Sequence, residues 1–547
     1  MVRGSNLYWL WTHSHGIRMC ILLSGFAGII RVACGLGFIY TSKEMVDIAT
    51  GIGSGTLSKC SAWMILWIWG GIFFNSIAGW ITALMEVKTQ NTLRQQLFGC
   101  LLQSRWTGVE QFHSGDVENR LVVDVHNVVA LLTGSAPSLV VTSTQLLTSF
   151  FFLVHLNSRL AQVAVFGMFV FLLCGKVYAK RIRRLTHRVR SLESAVHILT
   201  QESIQYHMVI KTLEQVEGAS TRLAKLQSDL YKRVKQRTRF SILSRTLLSS
   251  GFSGGYLLAF IWGTFQLQEG AITFGVMTAF LQLVGQVQRP IIDLTRIFPF
   301  LVTTLASVDR IRELEGLVPE ETGTPSILEG CVGVRVSGVC FSYGDQPVLE
   351  EFSYDFVPGS VTAVLGKTGI GKTTLFRLML ALACPQKGKV ILYNSEKEIE
   401  VSALTRGNFV YVPQGNTLFS GTIRENLLLG NPHAGEQQIR DALYGAAADF
   451  VYTLPLGLDT RCGEQGSGLS EGQAQRVAIA RSLLRSGDIL LLDEVTSALD
   501  TATEKLLFIR LNHYAKRKTI IFITHREELT EKCDKLVLQK DFTESGI

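Results

Sequence analysis

Residues 366–374 read Gly366, Lys367, Thr368, Gly369, Ile370, Gly371, Lys372, Thr373 and Thr374, and they fit the spacing G-x-x-x-x-G-K-[ST]. Glycines in this pattern let successive backbone N–H groups wrap phosphate oxygens. Lys372 then meets the β/γ-phosphate charge, and the Thr373 hydroxyl is placed to ligate Mg²⁺. The apolar run 361–365 before the loop and the run 375–382 after it supply the strand-to-helix setting that this chemistry needs.

Two further strands end in reactive side chains. The apolar residues 489–492 lead into Asp493 and Glu494, and the run 519–524 leads into His525. A carboxylate can hold the metal at Asp493, a second at Glu494 can orient or deprotonate an attacking water, and a neutral imidazole can donate to a γ-phosphate. Taken singly, an acidic pair after a strand is an ordinary turn and a histidine after a strand is a structural residue. Beside the phosphate loop, the three make a set able to hydrolyse a nucleoside triphosphate.

The elements that must position this set occupy the last part of a strongly apolar chain. Of 547 residues only 18% are charged, the net charge is +8, and the mean hydropathy is positive. A membrane-embedded portion fits these values better than a nucleic-acid binder, because the arginines cluster beside apolar spans. The ten cysteines are scattered, without a CxxC pair or a histidine cluster, which argues against a zinc site or a disulfide framework. No small-residue cleavage site follows the start of the chain, so the first apolar run is expected to be a retained membrane helix.

Six runs approach the length needed to cross a bilayer, near 19–42, 61–86, 128–154, 160–179, 246–267 and 271–298. The fourth is the shortest, bounded by Arg159 and Lys176. The long connections after the second and fourth runs hold Lys88, Arg94, Lys180, Arg181, Arg183, Arg184, Arg188 and Arg190, which places them and both termini in the cytosol. Leu93, Leu97 and Leu101, and then Leu185, Val189, Leu192, Val196 and Leu199, recur at helical spacing, so the membrane helices are expected to continue into the cytosol. Reversals are expected at Ser114-Gly115-Asp116 and around Gln205-Tyr206-His207. Residues 317–326, with two prolines and acidic side chains, read as a linker. The expected division is a membrane domain over 1–312, a linker over 313–327 and a second domain over 328–547.

Leu469-Ser470-Glu471-Gly472-Gln473, followed by Ala474-Gln475-Arg476, resembles the signature sequence of ATP-binding cassette (ABC) proteins. The family's other motifs follow in its order: Tyr343 for the adenine, Gln414 for the Q-loop, residues 497–500 for the D-loop and His525 for the switch histidine. Residues 460–466 look like the stretch that meets the cytosolic helices in exporters. With the six spans, the chain is identified as resembling an ABC exporter half-transporter of the type IV fold. This implies an α-helical six-span membrane domain of ABC exporter type plus an α/β P-loop NTPase domain.

The resemblance implies that ATP held by the phosphate loop of one subunit is closed over by Ser470, Gly472 and Gln473 of another. The cofactors are then ATP and Mg²⁺, the metal ligands Thr373, Gln414 and Asp493, the catalytic residues Glu494 and His525, and the partner a second half-transporter in a homodimer or a heterodimer. Glu471 departs from the family pattern, which has glycine there. At a first helical turn a carboxylate is favourable by about 0.3–1 kcal/mol, so its side chain is expected to point away from the nucleotide, with a slower site as the alternative.

The cargo is less legible. Arg31, Arg289, Asp293 and Arg296 lie at membrane depth, where they either pair among themselves or face an anion-binding cavity. Pro290 frees the carbonyl of Gln286 and is expected to bend its helix. The expected function is ATP-driven export or flipping of a lipid, a peptide or a drug-like amphiphile. An ATP-gated channel or regulatory membrane subunit is the alternative, and a membrane-anchored kinase is disfavoured by the signature. No leader-peptidase domain is expected. A bacterial plasma membrane is the expected location, with an organelle membrane open.

Overall fold

The computed structural model describes residues 4–156, 158–344, 346–463, 468–496, 498–514, 518–525 and 533–538. The side chains of residues 156–180 and of further helical positions, Arg289 and Arg296 among them, are outside that description. The chain packs as two compact units, Met1–Gly99 with Ser114–Glu315, and Cys100–His113 with Gly316–Ile547.

The first unit is helical. In chain order come α1 (Gly4–His13), α2 (Arg18–Ala49) and α3 (Leu57–Gln103); the short α4 (Trp106–Val109) belongs to the second unit. Then follow α5 (Ser114–Asn119), α6 (Val125–Ala130), α7 (Ala136–Leu156), α8 (Ser158–Gln205), α9 (His207–Thr212), α10 (Val216–Gln268) and α11 (Phe274–Glu315). Two π-helical turns, Arg120–Asp124 and Leu131–Ser135, join α5 to α6 and α6 to α7. Helices are the only open-ended solution here, because hydrocarbon offers no partner to a backbone amide. Among the described residues, His15–Ala49, Leu57–Gln103 and Ser114–His155 are long and apolar enough to cross a membrane. The expected first three spans fall on these, the fourth on α8, and the fifth and sixth on α10 and α11. On α3, Trp63, Trp69, Phe73 and Trp80 are all more than half exposed, as suits a lipid-facing helix.

One expected reversal is corrected. Ser114, Gly115 and Asp116 open α5 rather than turn the chain, and Asp116 there pairs with Arg120 one turn on, at 2.8 Å. The reversal lies earlier, over 104–113, where the backbone is pinned by Arg105 N donating to the Val318 carbonyl (2.9 Å) and Glu320 N to the Gln103 carbonyl (2.7 Å). The second reversal stands around Tyr206, where α8 gives way to α9 and then α10.

The polar contacts inside the helical unit are specific. Buried Asp124 accepts from Arg310 Nε at 2.7 Å, with a second contact to the same guanidinium, while buried Arg120 donates to Glu313 and to the Arg310 carbonyl. Gln145 Nε2 on α7 donates to the Gln286 carbonyl at 3.2 Å, the group that Pro290 leaves without a helical donor. Arg31 is exposed on α2. The expected pairing of Asp293 with Arg289 and Arg296 lies outside the described side chains.

The second unit is built on two sheets. Strands β1 (Gly333–Tyr343), β2 (Gln346–Phe356), β4 (Lys387–Tyr393) and β5 (Glu398–Glu400) form an antiparallel sheet in the order β2-β1-β4-β5. A parallel sheet runs β11-β3-β10-β9-β6, from β3 (Val361–Leu365), β6 (Phe409–Val412), β9 (Ile489–Asp493), β10 (Thr519–Ile523) and β11 (Asp534–Val537). The pair β7 (Gly421–Thr422) and β8 (Arg461–Cys462) stands apart. Helices α12 (Lys372–Met379), α13 (Ile423–Leu428), α14 (Glu436–Gly445), α15 (Glu471–Leu483) and α16 (Thr501–Tyr514) complete it. Every residue of β9 and of β10 is buried, which is why 489–492 and 520–523 read as unbroken apolar runs rather than alternating ones.

Candidate functional site

Parallel strands carry their ligand-binding loops at their carboxyl ends. Here the neighbouring order β3-β10-β9-β6 aligns four such ends: the phosphate loop after β3, His525 after β10, Asp493 and Glu494 at the end of β9, and Gln414 after β6. Residues 150 or more apart in sequence thereby share one edge.

The loop folds as its glycines predict. Gly371 has φ +114°, and a Cβ there would lie 2.8 Å from Val348 Cγ1, so both backbone and space require glycine. It leads into α12, whose first residue is Lys372. The ammonium is 5% exposed and donates to the Gly366 carbonyl (2.8 Å) and the Lys367 carbonyl (3.2 Å). Burial pushes its pKa down against the opposing pull of Glu494 and Asp493. A buried cation calls for an anionic partner.

Glu494 sits at the centre of the edge. Gln414 Nε2 donates to its Oε2 at 2.7 Å, and His525 Nε2 is 2.9 Å from its Oε1. Lys372 Nζ is 4.0 Å from the same carboxylate and 3.4 Å from the imidazole. The backbone of Glu494 has φ +48°, a left-handed conformation that costs a non-glycine residue on the order of 1–3 kcal/mol. Gln475 Nε2 on α15 reaches its carbonyl at 3.5 Å.

Asp493 is 1% exposed. Burial pushes its carboxyl above the usual range, against hydrogen bonds from the Thr373 hydroxyl (3.3 Å) and the Tyr411 hydroxyl (3.3 Å). The Thr373 and Asp493 oxygens form the hard donor pair that Mg²⁺ prefers. Gln414 turns its amide nitrogen to Glu494, so in this structure it is joined to the carboxylate and not to that pair.

The remaining expected residues fall in two places. Tyr343 ends β1, its ring edge-to-face with Phe341 at 4.9 Å and its hydroxyl bonded to Arg377. Ser470 caps α15: its Oγ accepts from Gln473 N at 3.3 Å, while Ser470 N donates to Gln473 Oε1 at 2.9 Å. A Cβ on Gly472 would lie 2.8 Å from the Ala498 carbonyl oxygen, so glycine is demanded by packing as well as by any ligand. Among the described residues no hydrogen bond joins these signature residues to the phosphate loop of the same chain. Glu471 is exposed on the first turn of α15. Residues 464–466 of the 460–466 stretch, and Ser497 of the D-loop, lie outside the described residues.

Tyr411 and Arg377 have no signal in the sequence, and Gln475 stands there only as part of the signature stretch. Alternation along β6 places Tyr411 on the face opposite Val410 and Val412, but nothing local signals its reach to Asp493.

Comparison with known proteins agrees with this geometry. The family model described as ABC transporter matches residues 349–497, and that described as ABC transporter transmembrane region matches residues 21–291. The ATP-dependent lipid A-core flippase of Acinetobacter baylyi is 29% identical over 540 residues, covering 95% of this chain and 93% of the relative. A Serine protease/ABC transporter B family protein, tagA, of Dictyostelium discoideum is 27% identical over 530 residues, of which this chain spans only 30% of the relative's length. A solved bacterial Atm1-family ABC exporter with ATP bound has the same fold, with a TM-score of 0.79, 23% identity and coverage of 96% of this chain and 94% of that one. The chain is therefore a member of the ABC transporter family, a multi-pass half-transporter whose membrane region and transport-coupled ATPase cassette share one polypeptide.

Proposed function

We propose that two copies of this chain, or this chain and a sister chain, sandwich two ATP molecules and use their hydrolysis to export or flip an amphiphile. A lipid is the first candidate cargo, on the likeness to a lipid A-core flippase; peptides and drug-like compounds follow. The functional boundary is taken at the 313–327 linker, with both termini and the cassette in the cytoplasm and a bacterial plasma membrane as the site.

The observation that carries this reading is the Glu494 carboxylate bonded to Gln414 and His525 beside Lys372. Lys372 and His525 are the groups suited to a γ-phosphate, and in this arrangement Glu494 supplies their negative partner. An entering γ-phosphate takes over Lys372 and His525, and Glu494 Oε1 is then free to accept a proton from water. Gln414 holds the other carboxylate oxygen and so fixes the direction from which that water attacks. Bound by Thr373 and Asp493, with Gln414 as a further ligand, Mg²⁺ would supply charge neutralisation of the β/γ oxygens. Ser470, Gly472 and Gln473 of the partner close the γ-phosphate from the other side with N–H and hydroxyl donors at a helix start.

The test is ATPase activity and cargo movement in liposomes, with lipids, peptides and hydrophobic dyes as the panel. Glu494→Gln is expected to keep ATP binding and to lower turnover by about 10²–10⁴-fold, the usual worth of a general base. Flux of any panel member that persists at full rate in the Glu494→Gln protein with ATP bound would replace the pump by a gated channel.

A further inference from the structure

A charged link beside the nucleotide edge is used by neither the phosphate loop nor the signature. Nη1 of Arg377, on α12, donates to the Tyr343 hydroxyl at 2.8 Å and to Glu110 Oε1 at 3.0 Å. Glu110 follows α4, in the reversal between the second and third spans, and it packs within the same unit as the cassette. One guanidinium nitrogen thus joins a tyrosine at the end of β1, the helix that starts at Lys372, and a turn that comes from the membrane half of the sequence.

The same turn and helix are joined a second time by a separate route. Arg406 makes a two-pronged contact with Glu320 (2.6 and 2.7 Å) and donates to the Leu380 and Ala381 carbonyls (2.7 and 2.9 Å) at the carboxyl end of α12. Glu320 N in turn bonds the Gln103 carbonyl at the root of the turn. The helix is therefore held to the turn at two points, and a short helix so held moves as a rigid piece.

We propose that Arg377 is a positioning residue that fixes the Tyr343 ring for the adenine base and ties it to Glu110, so that base occupancy and the position of the 104–113 turn are coupled through one guanidinium. This rests on the reading of Tyr343 as the adenine platform. Arg377 and Glu110 are 29% and 39% exposed, and a pair at that exposure contributes little to folding. Its loss is expected to appear in nucleotide recognition rather than in stability.

The test uses the full chain in liposomes, with the KM for ATP and the Ki of inorganic tripolyphosphate, a competitor that has no base. Arg377→Ala is expected to raise the KM about two- to tenfold, the worth of one or two such hydrogen bonds, and to move the tripolyphosphate Ki less than about twofold. Tyr343→Phe, which keeps the ring, and Glu110→Gln are each expected to raise the KM in the wild-type background and to add nothing in the Arg377→Ala background. A tripolyphosphate Ki that rises in step with the KM, or Tyr343→Phe and Glu110→Gln effects that multiply with Arg377→Ala, would overturn the coupling. Tyr343→Ala separates the two levels. If it leaves the KM unchanged, the platform reading falls and the inference with it; if it raises the KM while Arg377→Ala is silent, only the inference falls.

Discussion

The first helix is docked onto the end of the last membrane helix by a histidine–carboxylate contact and the hydrogen bonds beside it. Trp9 Nε1 donates to Glu315 Oε2 at 2.7 Å, His13 Nε2 lies 3.2 Å from Glu315 Oε1, and the Trp9 and His13 rings stack at 4.0 Å. Nearby, Asn6 bridges Asp309 and Arg312. The hydrogen bond to Glu315 raises the His13 pKa by more than burial lowers it. For Glu315, burial pushes upward, but the bonds from His13 and Trp9 outweigh it and the net shift is down. A raised imidazole pKa stabilises fully below the unfolded value of roughly 6.5, and that contribution is lost as pH climbs through the folded value. A depressed carboxyl pKa acts in the opposite sense: its contribution is present above the unfolded value and lost as pH falls through the folded one. Docking of α1 is therefore strongest in mildly acid solution and weakens above neutrality. At 30% and 28% exposure each Glu315 contact is worth about 1 kcal/mol, so Glu315→Ala loosens α1 by about 2 kcal/mol, or ~30-fold. The assay is amide hydrogen exchange over 4–13, corrected for intrinsic rates. Wild-type protection should be greater at about pH 6 than at about pH 8, and His13→Gln should flatten the difference. Equal corrected protection at both pH values in the wild type, or an undiminished step in His13→Gln, refutes the reasoning.

Asp124→Asn leaves Arg310 without its carboxylate in a buried setting and is expected to cost about 2–3 kcal/mol, the low side of the range for a broken buried pair because Arg310 is 43% exposed. An unchanged melting temperature in detergent would contradict it. Gln145→Leu orphans the Gln286 carbonyl and should destabilise by about 1–2 kcal/mol, read in the same melt, with no shift as the contrary result. Glu471→Gly removes an exposed carboxylate and should change ATPase turnover by less than about fivefold, since at first-turn positions the charge is worth under about 1 kcal/mol; a gain above tenfold would mean that it faces the partner's triphosphate.

Legibility followed the range of the interactions. The phosphate loop, the signature stretch that opens α15 and the buried strands are dictated by residues within a few positions of one another, so their types and spacing identify them. The Pro290 reading was local too, since a proline's effect falls on the carbonyl one turn back, but the partner that answers it, Gln145, is 141 positions away. Arg377 and Glu110 are separated by 267 positions. Each is an unremarkable surface charge until the reversal between spans folds beside the cassette. The misplaced first reversal has a related cause: serine, glycine and aspartate favour turns and helix starts alike. At Ser114 the Asp116–Arg120 pair one turn on decided for a helix start.

The hydrogen bonds of a single cassette support the proposed pairing with another. The capping box uses acceptor atoms of both its side chains, Ser470 Oγ for the Gln473 amide and Gln473 Oε1 for the Ser470 amide. What the signature still offers is the Ser470 hydroxyl proton, the Gln473 Nε2 protons and the N–H groups of Glu471 and Gly472 on the first turn of α15, all of them donors. The phosphate loop is likewise a set of N–H groups around a buried ammonium. Two such surfaces brought together without a ligand would set donor against donor, with like partial charges repelling across the gap. A triphosphate between them satisfies both at once and replaces repulsion by charge-assisted hydrogen bonds. Loss of the γ-phosphate removes the bridging acceptor and restores the repulsion. On the proposed sandwich, closing and opening of the pair would follow from this hydrogen-bond inventory, and Glu494, the carboxylate bonded to Gln414 and His525, would be the group that times the change.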